Sequence, residues 1–82
     1  MQPDPNAVAV ARRVREVLAE AGVSAAEVAR RIDWTQAYMA RRMSGTVPFS
    51  VADLIVIALA LGLTPTRLLP TGPTLTTDTV TR

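Results

Sequence analysis

The side chains with the most informative chemistry lie in the segment 36–41, which reads Gln-Ala-Tyr-Met-Ala-Arg. On a helix, positions 36, 37, 40 and 41 share one face. Glutamine can form two hydrogen bonds with adenine and arginine two with guanine, whereas alanine admits close approach and can touch a thymine methyl group. We therefore predict a face that reads DNA bases, formed by Gln36, Ala37, Ala40 and Arg41. A solvated helix face would explain Gln36 or Arg41 almost as well if each were taken alone.

Residues beside this face are suited to the DNA backbone. Thr35 precedes the segment, and at a helix N-terminus its hydroxyl group and the free backbone amides can contact a phosphate. Tyr38 and Arg42 lie four residues apart on the flank of the same helix, and the pair Arg30 and Arg31 adds two guanidinium groups. We predict phosphate contacts for these five residues. Tyr38 could equally pack against the loop before the next helix.

Composition excludes several other kinds of site. The 82 residues include no cysteine, no histidine and no lysine, so every basic residue is arginine. Disulfides, thiolate zinc sites and Cys/His nucleophile arrangements are therefore excluded. We expect no metal, no cofactor, no small-molecule substrate and no enzymatic activity. The formal net charge is only +2, so pairs of arginines, and not a strongly basic surface, would have to bind an anionic partner.

Apolar periodicity predicts helices throughout the first 69 residues. The expected helices span about residues 7–21, 24–32, 35–43 and 50–61, and a short fifth helix opens with Thr64-Pro65. A chain of this length supports one small domain. We therefore predict an all-α fold, a compact five-helix bundle formed by residues 1–69.

Polar residues with capping propensity set the expected helix starts. Asn6 is the expected N-cap of the first helix. Ser24 and Glu27 have the spacing of a capping box, in which each side chain bonds the other residue's backbone amide. Ser50 and Asp53 repeat this spacing at the start of the fourth helix.

The turn between the second and third helices contains Asp33 and Trp34. Asp33 is expected in a left-handed conformation, which aspartate tolerates better than most residues other than glycine. Trp34 is expected to pack into the core, and the alternative is that its indole N–H donates to a phosphate.

The last segment, residues 70–82, differs in composition from the rest of the chain. It is rich in proline and threonine and has no helical period, which favours a disordered tail. The β-propensity of residues 75–80 offers an alternative, a short strand that pairs with another chain or lies over the domain. We therefore expect a flexible or strand-like tail.

Several segments together resemble the lambda repressor/Cro-like helix-turn-helix family, also called the XRE family. The resemblance covers Val8 to Leu69 and rests on the order and spacing of these segments: Gly22-Val23-Ser24, Glu27-Val28-Ala29-Arg30-Arg31-Ile32, Thr35-Gln36-Ala37-Tyr38-Met39, Gly45, and Ile57-Ala58-Leu59-Ala60-Leu61-Gly62-Leu63. It implies sequence-specific binding of double-stranded DNA, usually as a dimer and usually to regulate transcription. An operator with inverted repeats is the expected target.

Two positions depart from the pattern of that family. Ala25 stands where the family commonly has a glutamine that contacts phosphate, and Thr46-Val47 stands where a basic residue is frequent. Both departures weaken the contacts with the DNA backbone, which do not depend on the base sequence. We therefore expect affinity to depend more on the arginine pairs and on dimerisation.

The fourth helix is apolar on nearly every side. Ile55, Val56 and Leu59 remain after one face has been assigned to the core, and the family tends to have charged residues at positions 56 and 59. We predict that these three residues form a dimer or partner interface. The alternative is that Leu75 and Val80 of the tail cover them within one chain.

Two functions are consistent with this sequence. The first is a transcriptional regulator, a repressor of phage or prophage type that occupies an operator and blocks polymerase. The second is an antitoxin-type module that binds a toxin partner and regulates its own promoter. The most apolar run is too short to span a bilayer and the N-terminus lacks the features of a signal peptide, so we expect a soluble cytoplasmic protein, associated with the nucleoid of a bacterium and encoded by it or by its phage.

Overall fold

The computed structural model describes residues 4–70, which form four α-helices and one turn of 3₁₀ helix. The elements in chain order are α1 (Pro5–Ala21), α2 (Ala25–Arg31), α3 (Gln36–Met43), α4 (Val51–Leu61) and the 3₁₀ helix (Pro65–Leu68). Within this part of the chain there is no strand, which confirms the all-α prediction. The expected fifth helix is present as this 3₁₀ turn of four residues, with a proline at its first position.

Helix α1 begins earlier than the sequence pattern suggested. Asp4, not Asn6, is its N-cap, and the Asp4 side chain accepts a hydrogen bond of 2.9 Å from the backbone amide of Asn6. Pro5 occupies the first helical position, where its missing N–H would have had no partner inside the helix. The prediction of an Asn6 cap was therefore wrong, because it overlooked that a proline favours the first turn of a helix.

The other predicted caps are present, with one difference. The Ser50 and Asp53 capping box is complete, and the hydroxyl group of Ser24 accepts from the backbone amide of Glu27 at 3.0 Å. The Glu27 carboxylate, however, accepts from Arg30 and Arg31. Only half of the second capping box therefore forms, because nearby guanidinium groups are stronger partners for a carboxylate than one backbone amide is.

The core lies where α1, α2, α3 and α4 meet, and the 3₁₀ helix closes one side of it. Its buried side chains are Val14, Val17, Leu18, Val28, Ala29, Met39, Leu54, Ile57, Ala58 and Leu68. Met39 is the buried residue of α3, so this short helix is fixed to the core from one side and exposes the other. The core therefore determines which face of α3 is directed outward.

The turn between α2 and α3 has the expected geometry. Asp33 has a φ of 65°, and the backbone amide of Trp34 donates to the carbonyl of Ala29 at 2.8 Å. Trp34 is half-buried and packs against the core, in agreement with the expectation. This turn sets the direction in which α3 leaves α2.

The predictions for residues 71–82, including a strand at 75–80 and a cover formed by Leu75 and Val80, lie outside the described residues. Among residues 4–70, no helix is both long enough and apolar enough to cross a membrane.

Candidate nucleic-acid interface

Helix α3 presents the four predicted base-reading residues on one exposed face. Gln36, Ala37, Ala40 and Arg41 are all exposed, while Met39 on the opposite side is buried. Thr35 caps the helix, and its hydroxyl group accepts from the backbone amide of Tyr38 at 3.0 Å. The structure therefore brings these side chains together in the arrangement that the sequence suggested, while their contacts with DNA remain a prediction.

Arg41 is free to contact a ligand. Within residues 4–70 its guanidinium group has no ion pair and no hydrogen bond, and the side chain is exposed. The carbonyl of Arg41 accepts from the hydroxyl group of Ser44 at 2.9 Å and from the backbone amide of Val47 at 3.2 Å, so the backbone at this end of α3 is held. A free side chain on a fixed backbone is suited to a bidentate contact with a planar acceptor.

The two arginines of α2 share one acidic partner. Arg30 forms an ion pair with Glu27, and the Nε of Arg31 lies 3.0 Å from the Oε2 of the same carboxylate. Both guanidinium groups are exposed, so these ion pairs contribute little to stability and can exchange for a phosphate. The cluster carries one net positive charge.

Tyr38 and Arg42 contact helix α4 through Asp53. The hydroxyl group of Tyr38 donates to Oδ1 of Asp53 at 2.7 Å, and the Nε of Arg42 donates to Oδ2 at 3.1 Å. The Arg42 guanidinium also lies over the Tyr38 ring, 3.5 Å from its centroid. The Trp34 ring packs at a tilt against the Tyr38 ring, with 4.6 Å between the two centroids.

These contacts bear on the two predicted phosphate contacts. A tyrosine hydroxyl group has one proton, and Tyr38 donates it to Asp53, so a phosphate would have to displace that carboxylate. Arg42 has five N–H donors, of which one goes to Asp53 and one to the carbonyl of Tyr38 at 3.4 Å. Arg42 can therefore bind a phosphate without leaving Asp53, whereas Tyr38 cannot. Both contacts with phosphate remain predictions.

The Asp53 carboxylate is the electrostatic centre of this cluster. Its burial would raise its pKa, but hydrogen bonds from the Ser50 amide, the Tyr38 hydroxyl group and the Arg42 guanidinium outweigh that effect, and the pKa of Asp53 lies below its ordinary value. The hydrogen bond to Asp53 raises the pKa of Tyr38 in turn. The stable state is thus an ionised carboxylate that holds a protonated phenol and a guanidinium group.

Sequence reasoning identified Asp53 only as a capping residue. The missed signal was that Asp53 is the one charged residue in an otherwise apolar helix α4 and is nevertheless buried, with 6% of its surface exposed. A buried carboxylate needs partners. The flank of α3 supplies two of them, at positions 38 and 42.

Helix α1 holds the C-terminal end of α3, a role that the sequence did not reveal. The Nη2 of Arg15 donates to the carbonyl of Met43 at 2.8 Å, and Gly45 lies against Val8. Gly45 has a φ of 82°, and a Cβ added there would come within 3.1 Å of the Val8 side chain. Both ends of α3 are therefore anchored, one by the turn at Asp33 and the other by α1.

Helix α4 exposes an apolar face. Ile55, Val56 and Leu59 are exposed within the described part of the chain, and Leu59 keeps 73% of its surface. Val51, one turn before Ile55, is exposed to 74% and belongs to the same face, although the sequence prediction did not include it. We call these four residues the α4 face. An interface role for it remains a prediction.

The comparisons with known proteins agree with this geometry. Residues 9–69 match the model of a protein family described as a helix-turn-helix domain, and this match covers more than half of the chain. The comparisons with curated proteins and with solved structures give no match. The match begins in α1 and ends after the 3₁₀ helix, so it includes the whole of α2, the turn and α3. The chain therefore belongs to the helix-turn-helix domain family, as its resemblance to the lambda repressor/Cro-like proteins predicted.

Proposed function

We propose that this protein is a sequence-specific DNA-binding regulator of transcription and that α3 enters the major groove of its operator. The observation that carries the proposal is the exposed face of α3, where an amide, a partner-free guanidinium group and two small side chains lie together. Gln36 would bond adenine and Arg41 guanine, while Ala37 and Ala40 would contact thymine methyl groups. Membership in the helix-turn-helix domain family supports the same function.

Contacts with the DNA backbone would set the register of α3. Thr35 lies at the N-terminus of the helix, where the first backbone amides favour a phosphate. Arg30 and Arg31 would exchange their exposed ion pairs with Glu27 for phosphates. At the flank, Arg42 would reach a phosphate with the donors that Asp53 leaves available, and Tyr38 is the weaker candidate of the two.

The operator would be an inverted repeat bound by two copies of the chain. One α3 helix reads only a few base pairs, whereas a two-fold pair reads half-sites about 34 Å apart and gains affinity from the coupling. The α4 face, which includes Ile55, Val56 and Leu59, would form the contact between the copies, because its exposed side chains are all apolar. Occupation of the operator would block polymerase, as expected for a cytoplasmic repressor of Cro or immunity-repressor type in a bacterium or its phage.

The α4 face also favours a second candidate function. An antitoxin of this family would use the α4 face to bind a toxin partner and α3 to regulate its own promoter. Both functions require DNA binding and differ in the occupant of the α4 face. The homodimer is preferred because it also supplies the second α3 helix that a specific site requires.

Selection of bound duplexes from a random pool tests the proposed function. We expect enrichment of an inverted repeat. The affinity for this repeat should fall as salt is added, and each phosphate contacted should contribute a slope of about −0.9 to the plot of log K against log salt. Enrichment of no sequence, or affinity that stays flat from low to physiological salt, would overturn the proposal. Enrichment of a single asymmetric site would keep DNA binding and reject the symmetric dimer.

A further inference from the structure

Asp53 joins the reading helix to the helix behind it. Helix α3 packs mainly against α1 and α2, and its polar link to α4 is made through the Asp53 carboxylate. Oδ1 accepts from Tyr38, while Oδ2 accepts from Arg42 and, at 2.9 Å, from the backbone amide of Ser50. One side chain therefore bonds the flank of α3 at two points and the start of α4 at a third.

The two contact points on α3 lie directly beside the reading face. Tyr38 follows Ala37 and precedes the buried Met39, and Arg42 follows Arg41. Their positions differ by four, so Asp53 holds one side of the helix over a full turn. A helix of eight residues that is bonded in this way resists rotation about its own axis.

We propose that Asp53 is a positioning residue for DNA reading: its carboxylate fixes the rotation of α3 against α4, and so determines operator selectivity without contact with DNA. This inference rests on the proposed function. Bidentate hydrogen bonds to a base require side chains that are placed within about 0.5 Å of the productive geometry. A small rotation of α3 moves the tips of Gln36 and Arg41 by more than that, because both side chains extend well away from the helix axis.

Asp53 also fixes the position from which Arg42 can reach a phosphate with its remaining donors. Only 16% of the Arg42 side chain is exposed while it bonds Asp53. Without the carboxylate, the half-buried Arg42 guanidinium group loses its ion-pair partner, is no longer held in one orientation and can turn outward to a phosphate. Loss of Asp53 therefore lowers affinity for the operator and leaves affinity for random DNA unchanged or higher.

A set of three variants tests this role in the full chain. Asp53→Ala removes the carboxylate, and Tyr38→Phe removes one of its bonds to α3. Ser50→Ala removes the hydroxyl group that accepts the cap hydrogen bond from the Asp53 amide, 3.0 Å long in the parent, and leaves the carboxylate and its bonds to α3 in place. The probes are a duplex selected by the parent protein and a shuffled duplex of the same length and composition. Helix content by circular dichroism gives the folded fraction of each variant.

The decisive measurement is the ratio of the affinity for the selected duplex to the affinity for the shuffled duplex. Partial unfolding leaves this ratio unchanged, because it lowers both affinities equally. We expect Asp53→Ala to lower this ratio about tenfold or more, the loss that one mismatched base pair causes. Tyr38→Phe should lower it less, and should have no further effect in the Asp53→Ala protein, because Tyr38 acts through Asp53. Ser50→Ala should leave the ratio unchanged.

Three results would overturn the inference. If Asp53→Ala keeps the parent's ratio, Asp53 does not position α3. If Tyr38→Phe has the same effect with and without Asp53, Tyr38 contacts DNA independently and the positioning role is wrong. If the parent protein itself does not distinguish the two duplexes, the proposed function fails, and this inference with it.

Discussion

At the scale of single residues, two charged groups illustrate how environment assigns a role. Arg41 has no partner in the described structure, and Arg42, its neighbour, is held by Asp53 and by the face of Tyr38. The sequence presents the two arginines as an identical pair. The difference arises from the helical angle of 100° between them, which directs one side chain outward and the other toward α4.

We predict that Arg41→Ala lowers affinity for a selected duplex by about 1–3 kcal/mol, because a bidentate contact with guanine is lost. Arg67→Ala serves as the matched control. Arg67 is an exposed arginine of the 3₁₀ helix, and its ion pair with Glu20 is long, at 3.8 Å. Binding titrations at one salt concentration should show a large loss for Arg41→Ala alone, and equal losses for both variants would mean that only total charge matters.

The depressed pKa of Asp53 predicts a specific dependence of stability on pH. A carboxyl group whose pKa is lower in the folded state than its ordinary value of 3.8 stabilises the fold above that pH. This contribution is lost as the pH falls below about 4 and the carboxylate is protonated. The difference in unfolding free energy between the parent and Asp53→Asn, measured with denaturant, should therefore be constant from pH 5 to 7 and shrink toward pH 3. A difference that grows toward pH 3 would contradict the direction of the shift.

At the scale of elements, the sequence was sufficient to predict where most helices begin and which face of α3 is buried. The starts of α2, α3 and α4 follow from Ser24, Thr35 and Ser50, whose side chains accept hydrogen bonds from amides within their own segment. The face of α3 follows from the position of Met39. These interactions join residues that are close in sequence, so residue spacing is sufficient to predict them.

Contacts between elements could not be predicted in the same way. The Asp53 cluster joins residues 11 and 15 positions apart, and the bond from Arg15 to Met43 joins residues 28 positions apart. These pairings depend on how the helices cross, which periodicity does not determine. The α1 cap differs from the expected one for a local reason, because Pro5 favours the first helical position and leaves Asp4 as the cap.

The packing of Gly45 on Val8 gives a test of how α1 supports the end of α3. Gly45→Ala introduces a Cβ at 3.1 Å from Val8 Cγ2 and 3.3 Å from Val8 Cα, on a backbone with positive φ. Gly22→Ala is the matched control, because Gly22 also has a positive φ but would place its Cβ in open space. We expect Gly22→Ala to cost about 1 kcal/mol in unfolding free energy and Gly45→Ala to cost clearly more. Equal costs in denaturant titrations would show that α1 does not hold this loop tightly.

At the scale of the whole molecule, the described surface has two faces of different chemistry. The outer face of α3 has polar and small side chains, whereas the α4 face has apolar side chains and no charged one. Asp53 is directed inward between the two helices and bonds both. In a dimer formed through the α4 face, the same carboxylate would therefore help to set the angle between the two reading helices.

We predict that the protein dimerises through the α4 face. Val56→Lys together with Leu59→Lys should give a monomer in sedimentation, with helix content intact, and should lower operator affinity about 100-fold, because the coupling of two half-sites is lost. The added positive charge cannot explain weaker binding to DNA, since it attracts phosphate. Ala19→Lys together with Ala21→Lys, both at exposed positions of α1, adds the same two charges and serves as the control. The interface is wrong if the parent remains monomeric at high concentration, or if the double variant unfolds.

A repeat of the random-pool selection with Gln36→Ala tests whether α3 reads bases. This variant removes one amide from the exposed face and leaves the Thr35 cap, the core contact of Met39 and every arginine in place. We predict that the selected duplexes keep the half-site spacing of the parent and lose the preference for adenine at one position in each half-site. If the preference at every position is the same as that of the parent, α3 is not the reading helix.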